Sequence, residues 1–244
     1  MRLVFEKFDS ALPLRRDAVN VLRIEDRSLY ARCALSLAQG FSADSLEPAF
    51  FFDDNGREVK ASKVLYFAGD VLAIDLNDRR IVATAMKKVL ARVVSEGGCV
   101  GFMEEMNCRI EEVFEGQFEQ MSADYYFSES WDAAKYLKMV GFAIDDAGNR
   151  TVFDRLTHFI RICADLFPES VIAFVNAPVY LTDEQYNEFC ELVVAQQLCV
   201  LSYEQGASNK FGNLENGLHI DADYIEEQSI YPEYRPLQQG NCPI

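Results

Sequence analysis

Two stretches of this chain concentrate charge in patterns that can do chemistry. Arg79, Arg80, Lys87, Lys88 and Arg92 follow one another closely, with Asp78 and Glu96 at the edges. At about 100° per residue in a helix, Arg80, Lys87, Lys88 and Arg92 share a broad face. Such a face either contacts phosphates or is a solvated helix surface. Downstream, Glu104, Glu105, Glu111, Glu112, Glu115, Glu119, Asp124, Glu129 and Asp132 are offset only by Arg109. Glu111, Glu115 and Glu119 recur at i, i+4 and i+8, where like charges cost roughly a few tenths of a kcal/mol per pair. A hard divalent cation such as Ca²⁺ reverses the sign of that term by taking several carboxylate oxygens. The alternative is an ordinary acidic surface.

Other chemistry finds less support. GxxxxGK[ST] and GxGxxG are both absent, and no Gly-Lys dipeptide occurs. Without stacked backbone amides and a lysine to hold phosphates, an NTPase or nucleotide-cofactor role has no basis. Asp53 or Asp54 with Glu58-Val59-Lys60 resembles the acid and Glu-x-Lys pattern of a metal-dependent nuclease, but Asn55-Gly56 between them reads as a hairpin turn. There is no GxSxG, and two histidines, His158 and His219, leave a Ser or Cys nucleophile little to pair with. Both histidines read as structural. No catalytic residue is assigned, and the expectation is a protein that is not an enzyme.

Composition sets the remaining bounds. Among 244 residues, 23 Lys and Arg face 39 Asp and Glu, a net charge of −16. That balance excludes a surface broadly complementary to nucleic acid or anionic lipid, while leaving room for a local basic patch. Seven cysteines (33, 99, 108, 163, 190, 199 and 242) include no CxxC pair. They read as reduced, mostly buried thiols of a cytoplasmic protein. No apolar run is long enough to span a membrane, and Arg2, Glu6 and Lys7 are unlike a signal peptide.

The elements that must position these charges form an α/β pattern at both ends of the chain. Arg2–Phe8 and Val19–Ile24 read as strands, followed by a helix to about Ala38 with Asp26 as N-cap and Gly40 as stop. Phe50–Phe52 and Glu58–Lys60 read as a hairpin. Helical periodicity takes over from about Leu76, with Gly97-Gly98 as a break, a third helix at about Ser130–Val140 and a fourth at Thr151–Phe167. Ser170–Asn176 and Gln197–Tyr203 are apolar runs of the kind found in strands covered on both faces, with a helix from Thr182 between them and a short strand at Leu218–Asp221. Strand, helix, strand implies parallel crossovers. The expected fold is a mostly parallel α/β sheet, 1–76 and 142–227, interrupted by an α-helical insertion over 77–141 and followed by an extended or disordered tail, 228–244.

Leu22–Tyr30 (LRIEDRSLY), Asp70–Asn77 (DVLAIDLN) leading into Lys87-Lys88, Phe174–Thr182 (FVNAPVYLT), Val200–Glu204 and Asp221–Glu227 (DADYIEE) occur in that order. In these segments the chain resembles the type II-A CRISPR-associated adaptation proteins, the Csn-two family. The resemblance implies a head like a P-loop NTPase fold without its phosphate loop, and a helical leg. It also implies a homotetrameric ring, supported by Ca²⁺, that threads onto free ends of double-stranded DNA without sequence preference during spacer acquisition, a step of antiviral defence. The Cas integrase complex and the CRISPR effector nuclease are the implied partners. Calcium ligands would lie among Glu104, Glu105, Glu111, Glu112, Glu115, Glu119 and Asp124. DNA contacts would fall on Arg79, Arg80, Lys87, Lys88 and Arg92, with Arg150, Arg155 and Arg161 as second choices. The competing functions are a metal-dependent nuclease or degenerate NTPase acting on DNA, and an acidic protein-binding scaffold.

Overall fold

Val19–Ile24 (β3) lies inside the larger sheet, all but one of its residues buried and a parallel partner on each side. The coordinates, a computed structural model, describe residues 1–41, 44–95, 98–127, 132–148 and 150–229. They divide into two units. One comprises Met1–Ile74 and the chain from Asp146 onward; the other comprises Asp75–Asp145.

In the first unit β3 pairs in parallel with Cys199–Gln205 (β8) on one side and Glu215–Ile220 (β9) on the other. Val171–Val175 (β7) and Leu65–Asp70 (β6) extend the sheet in parallel beyond β8. The five parallel strands, counted in chain order, lie fifth, first, fourth, third, second. Glu226–Ser229 (β10) closes the other edge antiparallel to β9, so the sheet is mixed but mostly parallel. Arg2–Phe5 (β1), Ala11–Pro13 (β2), Ala49–Phe52 (β4) and Glu58–Val59 (β5) form a separate antiparallel sheet in the order β2-β1-β4-β5.

Helices cover these sheets for local reasons. Arg27–Ala38 (α1) starts where the Asp26 carboxylate accepts from the Leu29 N–H at 2.7 Å, and the chain leaves it through Gly40 at φ 69°. Leu29, Cys33 and Leu37 of α1 join Leu22, Ile24, Leu201, Leu218 and Ile220 of the large sheet, and Leu3 and Phe51 of the small one, in a single core. The short helix Ala61–Val64 (α2) leads into β6. In the second unit lie Arg79–Ser95 (α3), Gly98–Phe118 (α4) and Ala133–Met139 (α5). Val152–Leu166 (α6) and Asp183–Ala195 (α7), back in the first unit, both begin with reciprocal capping boxes, Thr151 with Asp154 and Thr182 with Gln185.

The mostly parallel α/β sheet agrees with the sequence reading. Three differences have physical reasons. The strand β6 escapes a reading by pattern, because its end, Ala68-Gly69-Asp70, breaks the apolar run and Gly69 sits at φ 75° beside a register shift. Gln228 and Ser229, expected in the tail, belong to β10; this four-residue polar strand (EEQS) carries no apolar signal and is specified by its pairing with β9. The third helix starts at Ala133 with Asp132 as its cap. The break at Gly97, the Ser130 start and residues 230–244 of the tail lie outside the described residues.

Candidate functional site

Asp53 and Asp54 belong to a hairpin turn, as their spacing suggests, with Glu58 in the strand that follows and Lys60 capping α2. The Asp53 carboxylate accepts from the Asn55 and Arg57 N–H groups at 2.9 and 2.8 Å, and Gly56 takes φ 75°. Asp54 pairs with the N-terminal amine. Phe51 and Phe52 then meet Val59 and Glu58 across the hairpin. A carboxylate committed to two backbone N–H groups is holding a loop, not poised for a metal ion.

The carboxyl ends of the parallel strands are where this architecture usually binds ligands. Here the helix that follows the central strand has its N-terminus occupied by its own Asp26 carboxylate. A phosphate would compete with that charge for the same backbone N–H groups. Within the sheet, Arg23 holds Glu204 through Nε at 3.0 Å and Nη2 at 2.6 Å, while its Nη1 donates to the Ser208 and Lys210 carbonyls at 3.0 and 2.9 Å. Burial pushes the Glu204 carboxyl above its usual range, against the charge of Arg23 and the hydrogen bond from Ser202. The Tyr186 hydroxyl donates to Glu215 at 2.7 Å. These groups are consumed by one another and tie the 206–214 loop to the sheet. His219 is buried, and neither ring nitrogen finds a partner among the described residues.

Three thiols are chemically quiet. Cys33, Cys163, Cys190 and Cys199 are buried and outside any disulfide, while Cys108 is exposed. Burial pushes Cys33 and Cys190 up to about 12, and Cys199 to about 11. At neutral pH these three are protonated, which removes them as nucleophiles or metal ligands.

The two charge clusters belong to the second unit. Helix α3 packs on both α4 and α5. Arg79, Arg80, Lys87 and Arg92 are exposed and Lys88 is half-buried. The structure divides this set. Arg79 and Lys87 line a groove of about 810 Å³ between α3, α5 and the Phe142-Ala143 segment, whereas Arg80, Lys88 and Arg92 do not line it. The groove brings in a third cation, Lys138 of α5, which the sequence reading misses. Nothing in the local sequence near Lys87 points to it; the available signal is a lysine in the last turn of α5. Arg150, Arg155 and Arg161 lie in the first unit. Arg150 and Arg161 are exposed, and the Nε of half-buried Arg155 has no hydrogen-bond partner among the described residues.

Helix α4 carries the acids. Glu105 pairs with Arg109 at 2.6 Å and Glu111 accepts from Asn107 at 2.8 Å, each within one helical turn. Glu104, Glu112 and Glu115 are exposed on α4; Glu119 follows its end, and Asp124 lies in the segment after it. Among the described residues, no three His, Cys, Asp or Glu side chains come together as a metal site. Among the described residues the carboxylates of α4 are strung along the helix instead of converging into the oxygen cage that Ca²⁺ takes.

The most informative property of α4 is apolar. Phe102, Ile110, Val113 and Phe114 are each more than half exposed, and Met106 nearly so. With Tyr136 and Met139 of α5, the residues Phe102, Met106 and Ile110 leave an open apolar cleft of about 650 Å³. A hydrophobic surface of that kind on a helix marks a binding face.

Comparison with known proteins matches residues 42–224 to the family model described as CRISPR-associated protein (Cas_Csn2). A relative from Streptococcus agalactiae, named CRISPR-associated protein Csn2, is 24% identical over 193 residues, covering 79% of this chain and 84% of the relative. No helix among the described residues is long and apolar enough to cross a membrane.

Proposed function

Because this chain belongs to the Csn2 family of CRISPR-associated proteins, a family with a role in type II-A CRISPR adaptation, we propose that it binds double-stranded DNA ends without sequence preference and without cutting them. It works as a homotetrameric ring in the cytoplasm, beside the Cas integrase complex and the CRISPR effector nuclease. The observation that carries the DNA reading is the concentration of Arg79, Arg80, Lys87, Lys88 and Arg92 along one helix of a chain at −16. An acidic exterior with a basic lining confines a polyanion to the lining, and contacts to phosphates alone carry no sequence information.

The ring reading is supported by the exposed apolar row of α4, which a lone chain leaves in water. The head is read as a P-loop-like fold without its nucleotide: β3 sits centrally, and Asp26 stands where a phosphate would bind. Calcium enters from the family resemblance. The carboxylates of α4 do not converge among the described residues, and the calcium requirement has its own readout, oligomer size with and without chelator.

A gel shift with linear duplexes of unrelated sequence tests the reading. The expected result is equal affinity for all of them, falling steeply with salt, and intact DNA after incubation in Mg²⁺ or Mn²⁺. Cleavage would make the protein a nuclease. Failure to retain any duplex at low salt would leave a protein-binding scaffold.

A further inference from the structure

The 206–214 loop crosses a row of polar side chains that contains one buried group without a partner. Strand register sets Glu204 of β8, Arg23 of β3, His219 of β9 and Glu227 of β10 side by side across four strands. Residues opposite one another in a ladder share a face. This face is the one turned away from the core of Leu22, Ile24, Leu218 and Ile220. His219, between Arg23 and Glu227, is 3% exposed, and neither ring nitrogen has a partner among the described residues. A buried polar group left in that state calls for a reason.

The loop is tethered on three sides of His219. Arg23 donates to the Ser208 and Lys210 carbonyls, and its guanidinium lies 4.9 Å from the centre of the Phe211 ring. That ring fills the space over Gly217, two residues before His219 on the same face, where any Cβ would collide with it. On the far side Asn209 donates to the Glu227 carboxylate at 2.7 Å. Residues 207–210 are exposed, and the loop carries neither helix nor strand. Such a segment opens at less cost than the sheet beneath it.

We propose that the 206–214 loop is a lid, held shut over neutral His219 and released when that imidazole takes up a proton. Imidazole is the side chain whose charge changes between about pH 5 and 8. Once charged, it needs either water or a carboxylate. The neighbouring Arg23 repels the new charge, and so does Lys210 on the loop. Glu204 is committed to Arg23, and Glu215 to Tyr186 and the Gly212 N–H. Glu25 and Asp221 lie two residues beyond Arg23 and His219, and Asp221 already accepts from the Asp223 and Ile225 N–H groups. Glu227 stands directly opposite, and taking it breaks the tether from Asn209. Water reaches the ring once Phe211 leaves Gly217. Both routes loosen the loop, so the open form binds the proton more tightly, acid opens the lid and rising pH closes it.

Hydrogen–deuterium exchange on the full chain at about pH 8 and about pH 6 spans that range. It is read on the 206–214 peptide and corrected for the intrinsic effect of pH on exchange. The open fraction should rise as pH falls, by up to about tenfold per pH unit, the limit for one linked proton, while peptides of β7 and α6 keep their protection. His219→Phe, which fills the same space without titrating, should keep the lid shut at both values. Gly217→Ala, which unseats Phe211, should leave it open at both. The chain has two histidines, so their ring resonances give a reading on the unaltered protein, with His158→Gln to tell them apart. The His219 resonance should titrate over the range in which the loop opens.

A loop with the same protection at both pH values, or tighter at the lower one, would overturn the proposal. So would a pH response that survives in His219→Phe, a Gly217→Ala lid that still closes, or a His219 resonance that does not titrate.

Discussion

The two units of this protein treat their side chains in opposite ways. In the α/β unit, the buried carboxylates are matched to donors, Glu204 to Arg23 and Ser202, Glu215 to Tyr186, and Glu47 to Arg32 and Lys7, and Asn20 meets Asn216 and the Val200 carbonyl, although His219 is left without a partner among the described residues. In the helical unit, acids are strung along α4 and large apolar side chains face water. A unit whose buried carboxylates find their partners within the chain holds its own structure. A unit that leaves Phe102, Ile110 and Val113 exposed holds a surface for something else. The comparison assigns stability to the first unit and recognition to the second.

The largest effect should come from breaking a matched pair in the α/β unit. Arg23→Ala leaves Glu204 buried without its counter-charge and releases the loop at Ser208 and Lys210. We expect a loss of about 3–5 kcal/mol in urea unfolding. A loss below about 1 kcal/mol would mean that the network does not hold the sheet.

Glu47 gives a smaller, pH-dependent effect. Burial pushes its carboxyl up, but the hydrogen bonds from Arg32 and Lys7 outweigh that and hold it below the usual glutamate range. A carboxylate lowered in this way contributes stability that is present above the unfolded value, roughly 4.3, and is lost as pH falls through the folded value. Glu47→Gln should cost about 1–3 kcal/mol at neutral pH and flatten the decline in stability below about pH 4.3. A variant with the same acid decline as wild type would show that Glu47 does not drive it.

Smaller again is the cap of α1. Asp26→Ala removes the acceptor for the Leu29 N–H and should cost about 1 kcal/mol. It should leave the protein without nucleotide affinity, measured by calorimetry with ATP, because no lysine or glycine-rich loop is added. ATP binding by the variant would mean that Asp26 alone had blocked the site.

The smallest effect on stability is expected where the chain looks most exposed. Val113→Ser on α4 should change unfolding free energy by no more than about 0.5 kcal/mol, since the side chain is already 68% in water. A larger loss would place Val113 in a core and dissolve the contrast between the units.

Legibility from sequence follows the same divide. The strands β3, β7 and β8, the caps Asp26 and Thr182, and the Asn55-Gly56 hairpin are readable because periodicity and capping are local signals. The edge strands β6 and β10 are not, since an edge is specified by its neighbour: Glu226–Ser229 is a strand only because β9 is there. In the helical unit the charge clusters are visible as composition. Their division is not, because the groove that takes in Arg79 and Lys87 but not Arg80, Lys88 and Arg92 is completed by Lys138 and Phe142, far along the chain. The acidic run suggests converging carboxylates, and a straight helix spreads them instead.

The central claim is retention on DNA ends by a ring, and topology of the DNA tests it most directly. Linear and covalently closed circular duplexes of the same sequence would be offered at low salt, each with Ca²⁺ and with chelator. Retention of the linear form alone, lost on chelation, is the expected result. Equal retention of both forms would contradict threading over ends and make the protein an open clamp on the duplex.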